Sequence, residues 1–130
     1  MAMKFIFFFS VLLLESVGGY GQNQHNLVQF ESMQIHLGKV DQGETANGEF
    51  RFKNTSNEIV QIDLVSTCEC TDASWTRREI KPGENGSISF VFDSSKKPQV
   101  EPIDVDVYFL NVDPKTGNPI SYYLQYTFEY

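Results

Sequence analysis

The sequence predicts an all-β domain in which two sheets, about seven strands in total, pack face to face behind an N-terminal signal peptide. Three observations carry this. Apolar residues recur at every second position in six or seven short windows, clusters of turn-forming residues separate those windows, and no window holds apolar residues at helical spacing over three turns.

The chain opens with Lys4, then an apolar run from Phe5 to Leu14 broken only by Ser10, then Gly18, Gly19 and Gly21. That order of charge, grease and small residues is a processing signal, and about ten apolar residues fall short of the ~20 that span a bilayer. Cleavage is expected near Gly21, so residues 1–21 are assigned to the signal and 22–130 to a single domain. No cysteine lies near the cut to carry a lipid anchor. The expected location is therefore the periplasm or the exterior, with the mature chain soluble and not a lipoprotein.

After the polar start Gln22 to Asn26, Met33, Ile35 and Leu37 alternate with Gln34 and His36 as a first half-buried strand. Phe50 and Phe52 alternate with Glu49, Arg51 and Lys53 in a second. Asn54 to Asn57 is a run of turn formers whose short side chains bond the local backbone. Val60, Ile62 and Leu64 then share a face opposite Gln61, Asp63 and Val65, and this third strand leads into Cys68. Lys81-Pro82-Gly83-Glu84 has the residues of a type II turn, Pro fixing φ and Gly accepting a positive one.

Ile88, Phe90 and Phe92 form the next apolar face, against Ser87, Ser89 and Val91. Two prolines and two lysines in Asp93 to Pro102 mark a polar connection. Ile103, Val105, Val107 and Phe109 alternate with Asp104, Asp106 and Tyr108, and Asp113 to Pro119 closes a hairpin. The last strand aligns Tyr122, Leu124, Tyr126, Phe128 and Tyr130. Two sheets can then bury the phenylalanines at ~2 kcal/mol or more each, leaving Glu49, Asp63, Asp104 and Glu129 in water.

A net charge of -7 argues against nucleic acid and anionic membranes, which attract Lys and Arg. Two cysteines in an exported chain can be oxidised. A bridge between positions two apart closes so small a loop that chain entropy contributes only ~1.6 kcal/mol. The cysteines are therefore not the framework of the fold.

Gly38-Lys39-Val40 with Gly43, Phe50 to Thr55, Ser66 to Thr71, Trp75, and Ile80 to Glu84 with Ile88 together resemble the bacterial domain-of-unknown-function family fifteen-seventy-three. The match runs from about Phe30 to Phe109. The resemblance implies an exported immunoglobulin-like β-sandwich of the Hydin or ASH type, most often from Bacteroidetes-like bacteria, with no established activity. Glu69 departs from the family, which usually places glycine between its cysteines. Lys96-Lys97-Pro98 and Glu101-Pro102 depart again, standing where the family tends to show a glycine before the strand at Ile103.

Cys68 and Cys70 are the candidate chemical site. On an extended backbone their side chains share a face roughly 6.5 to 7 Å apart, close enough to capture Cu or Zn as thiolates. Four-ligand zinc would need more than His25 and His36, neither in motif spacing. A structural bridge, metal capture and thiol–disulfide exchange all stay open. Trp75 is read as a cap over one end of the sandwich or as a stacking surface, and Tyr108 and Tyr123 as the tyrosines best exposed to a ligand. Glu101, Asp104 and Asp106 lack the rest of a calcium loop. Asn54-Thr55-Ser56 and Asn85-Gly86-Ser87 fit a glycosylation pattern but read as turns.

No catalytic triad spacing or phosphate loop is present. The expected function is non-enzymatic: an exported accessory module that binds another envelope or extracellular protein, without a cofactor, nucleic-acid partner or transmembrane segment. The alternatives are a metal-binding or a thiol–disulfide protein built on Cys68 and Cys70.

Overall fold

The computed structural model describes residues 26–130, and the expected signal peptide lies outside them. The described chain is all β: β1 (Val28–Phe30), β2 (Gln34–Lys39), β3 (Thr45–Asn54), β4 (Ile62–Thr67), β5 (Thr71–Trp75), β6 (Asn85–Asp93), β7 (Ile103–Val112) and β8 (Pro119–Glu129). They form two four-stranded sheets, ordered β1-β3-β6-β5 and β2-β8-β7-β4. Every pairing is antiparallel except β2 with β8, where Gln34 lies beside Gln125 and Ile35 beside Tyr126 in parallel.

The alternation read from the sequence places the core. Phe50, Phe52, Phe90, Phe92 and Phe109 are all buried, as are Val105, Val107, Leu124, Tyr126 and Phe128. Rings from the two sheets meet in the middle: Phe90 stacks on Tyr126 with centroids 4.3 Å apart, and Phe92 meets Phe128 at 4.4 Å. Gly83 has φ 83° and the Glu84 amide donates to the Lys81 carbonyl at 3.0 Å, the turn that Pro82-Gly83 predicts. Glu49, Asp63, Asp104 and Glu129 are exposed.

Two strands escaped the sequence reading. β1 is only three residues long, and β5 holds too few strong apolar residues in Thr71-Asp72-Ala73-Ser74-Trp75 to show a period. The count is accordingly eight. The expected inward face of Val60, Ile62 and Leu64 also fails at its third member. A register shift between Ile62 and Leu64 puts two successive side chains on the same side, so Leu64 is 51% exposed and Val65 turns into the core. Met33 stands before β2 and is exposed, whereas Ile35 and Leu37 pack against the core.

Asn54 is the buried polar hub of one end. Its Nδ2 donates to the carbonyls of Glu58 at 2.8 Å and Ile80 at 3.0 Å, and its Oδ1 accepts from the amide and hydroxyl of Ser56. A side chain so occupied belongs to the turn, as the sequence reading had it.

Candidate functional site

The site of interest is the corner where the chain leaves the edge of one sheet, β4, and begins the edge of the other, β5. Crossing between sheets in three residues requires a tight turn. The Thr71 amide donates to the Cys68 carbonyl at 3.0 Å to close it, and the Asp93 amide donates to the Cys70 carbonyl at 2.8 Å to anchor it to β6. Glu69 sits exposed at the tip, and among the described residues no residue other than glycine takes a positive φ, so this turn accepts Glu69 where the family resemblance implies glycine.

Cys68 and Cys70 are joined as a disulfide, with Cα atoms 5.2 Å apart. The extended arrangement at 6.5 to 7 Å does not form, because the turn draws the two backbones together. Neither sulfur is a thiolate in this state, and thiolate is the form that ligates metal. The two sulfurs differ in access: Cys68 is half-buried and Cys70 is in the core, 3% exposed. Among the described residues, no group of three or more His, Cys, Asp or Glu side chains converges as a metal site.

Two hydroxyls complete the corner. Thr71 Oγ1 lies 3.3 Å from Cys68 Sγ and 3.5 Å from Cys70 Sγ, and 2.5 Å from the Tyr126 hydroxyl, which reaches across from β8. Burial pushes the Tyr126 phenol up to about 12, against a smaller opposing effect of the Thr71 hydrogen bond. Tyr126 therefore stays protonated at physiological pH. The sequence reading assigned Tyr126 to the core but missed this role for its hydroxyl and missed Thr71. Tyrosine at every fourth position of one strand face, where phenylalanine would pack as well, is the signal that could have found it.

The other candidates do not gather here as one site. Trp75 ends β5, half-buried against the core, with the Arg77 guanidinium 4.3 Å over its ring. Tyr108 and Tyr123 lie on the outer face of the opposite sheet. Tyr108 is half-buried, opposite Leu64 and Ser121, while Tyr123 is 61% exposed and pairs with Asp106. Burial and the neighbouring Asp104 raise the Asp106 carboxyl above its ordinary range. His36 is exposed, its Nδ1 2.7 Å from Thr127 Oγ1. No helix among the described residues is long and apolar enough to cross a membrane.

Two four-stranded sheets joined by this edge-to-edge crossing define an immunoglobulin-like β-sandwich of the PapD or ASH kind. The chain is similar to the ASH / PapD-like domain of human CEP192, at 12% identity and TM-score 0.59, over 88% of this chain and 94% of that one. Residues 28–117 match the family described as protein of unknown function (DUF1573), and the chain belongs to that family. A protein of unknown function from Porphyromonas gingivalis is similar at 20% identity and TM-score 0.65, over 80% of this chain and 46% of that one. The Vibrio cholerae VesB protease is similar at 13% identity and TM-score 0.64, over 81% of this chain and 32% of that one. The chain thus spans less than half the length of either of these last two proteins. No curated relative matches the sequence.

Proposed function

We propose that this chain is a non-enzymatic, exported binding module that takes up an extended segment of an envelope or extracellular protein along β5. The regularity of the β5 edge supports this, because the other three sheet edges are protected. β1 is three residues long, and the Tyr122 hydroxyl occupies the outward amide and carbonyl of Val28 at 3.2 and 3.3 Å. β2 and β4 each carry a register shift, between His36 and Lys39 and between Ile62 and Leu64. Bulges and short strands are the usual devices that stop a sheet edge from pairing.

β5 has neither. Its five residues pair with β6 in unbroken register, Thr71 with Phe92 through Trp75 with Ile88. The amide of Asp93 bonds the Cys70 carbonyl and that of Thr76 bonds the Ser87 carbonyl, which sets the alternation. Asp72 and Ser74 therefore bond β6, and the backbone groups of Ala73 and Trp75 point away from it. A strand added there gains main-chain hydrogen bonds, and its inward side chains meet half-buried Ala73 and Trp75. With a net charge of -7, a neutral or basic extended segment with alternating apolar residues fits best.

A fluorescent peptide of alternating valine and lysine tests this by anisotropy. Ala73→Pro removes an outward N–H without touching the β6 ladder, and is expected to abolish binding while leaving the melting temperature within a few degrees. Peptide bound equally by the parent and Ala73→Pro, or by neither, overturns the proposal.

A further inference from the structure

We infer that the Cys68–Cys70 bridge is a thiol–disulfide exchange site, entered at Cys68 and assisted by the Thr71 hydroxyl. This goes beyond partner binding and stands or falls separately from it.

The bridge contributes little to holding its own corner. It spans two positions, so it restrains little of the unfolded chain. The turn it closes is already fixed by the Thr71 amide on the Cys68 carbonyl and the Asp93 amide on the Cys70 carbonyl. A bond between sulfurs that the backbone already brings together can open and re-form without rearranging the sheets.

The two ends of the bond are unequal in the way exchange requires. An incoming thiolate can approach half-buried Cys68, whereas Cys70 is shut inside the core. Attack at Cys68 makes Cys70 the leaving group, and departure is faster when the leaving thiolate is stabilised. Thr71 Oγ1 lies 3.5 Å from that sulfur. Among the described residues the Tyr126 hydroxyl has only Thr71 as a side-chain partner, at 2.5 Å. With Tyr126 as the donor of that bond, the Thr71 proton is free to point at sulfur. Phe90 and Phe92 pack around the Tyr126 ring and hold it there.

The reductant is a dithiol. One of its thiolates attacks Cys68 Sγ, the Cys68–Cys70 bond breaks, and the electron pair stays on Cys70 Sγ, hydrogen-bonded by Thr71 until it takes up a proton. The donor's second thiolate then attacks the donor sulfur held in the mixed disulfide, and Cys68 is released as a thiolate and protonated. The donor leaves as a disulfide; two electrons and two protons have passed to the chain. The reverse sequence reduces a disulfide on a partner.

The experiment uses the whole mature chain with dithiothreitol as the dithiol and glutathione disulfide as the small disulfide, read by mass after rapid alkylation. Dithiothreitol is expected to open the bridge while the far-UV spectrum keeps its native form. Cys70→Ser, which leaves Cys68, is expected to take up glutathione at least tenfold faster than Cys68→Ser. On the native cysteine pair, Thr71→Val is expected to slow reduction about tenfold, and Thr71→Ser to restore it, which a merely structural role for residue 71 would not reproduce. A bridge reduced only after unfolding, or equal glutathione uptake at the two sulfurs, overturns the exchange site. Equal reduction rates for Thr71→Val and the parent overturn the part given to Thr71.

Discussion

The Tyr126 hydroxyl stands 2.5 Å from Thr71 Oγ1, tying an inner strand of one sheet to the edge strand of the other. It is the middle one of three tyrosine hydroxyl contacts along this face. Tyr122, four residues earlier on β8, bonds the backbone of Val28 on β1, and Tyr130, four residues later, bonds the carbonyls of Ser94 and Lys97. One face of β8 thus supplies both core rings and the polar bonds that fasten the opposite sheet at both edges.

Alkaline pH should loosen the Tyr126 tie. The Tyr126 phenol ionises near 10 when exposed and near 12 in the folded chain. Below pH 10 both states hold the proton and the contribution of this group is fully present. Between 10 and 12 the unfolded chain releases its proton while the folded chain keeps it, so stability falls as pH rises. Urea midpoints measured across that window should drop more steeply for the parent than for Tyr126→Phe. At neutral pH the same variant should lose about 1 kcal/mol, the net worth of one hydrogen bond.

Asn54 fastens the opposite end through four hydrogen bonds while only 1% exposed. Asn54→Ala is expected to cost about 2 to 3 kcal/mol in denaturant unfolding, since buried partners lose their bonds. Asn54→Asp should cost at least as much, because a carboxylate would face the carbonyls of Glu58 and Ile80. A change under ~0.5 kcal/mol in either variant would show that water replaces the side chain without penalty.

Gly48 lies in β3 directly across from Phe90, whose ring covers it. A Cβ there would meet Phe90 Cε1 at 2.6 Å, so Gly48→Ala must push the ring out of its stack with Tyr126. Overpacking of this kind costs roughly 1 to 3 kcal/mol. A melting temperature equal to the parent's would mean that the core yields more readily than its packing suggests.

Removing both sulfurs should leave the fold intact. Cys68→Ala with Cys70→Ala is expected to lose no more than about 2 kcal/mol, given the small loop that the bridge closes. Thiol counting on the parent chain purified from an oxidising compartment should find no free thiol under denaturing conditions. Collapse of the far-UV spectrum in the double variant would make the bridge a structural staple after all.

Much of this architecture is legible in the order of residues because strand side chains alternate with period two. Ile88, Phe90 and Phe92, or Val105, Val107 and Phe109, announce their inward face without any knowledge of their neighbours. Lys81-Pro82-Gly83-Glu84 announces its turn for the same local reason: its φ requirements are met by the residues themselves. Leu64 and Val65 are different. Their faces depend on a bulge fixed by pairing with Tyr108 and Val107, residues more than forty positions away.

The sequence by itself determined the period, the turns and therefore an all-β chain with a phenylalanine-rich interior. Only the tertiary structure decided that β2 runs parallel beside β8, that β5 is the regular edge, and that Thr71 and Tyr126 meet at the disulfide. Backbone preference acts over a few neighbouring residues, whereas strand order and cross-sheet contact arise when distant segments compete to bury the same apolar faces.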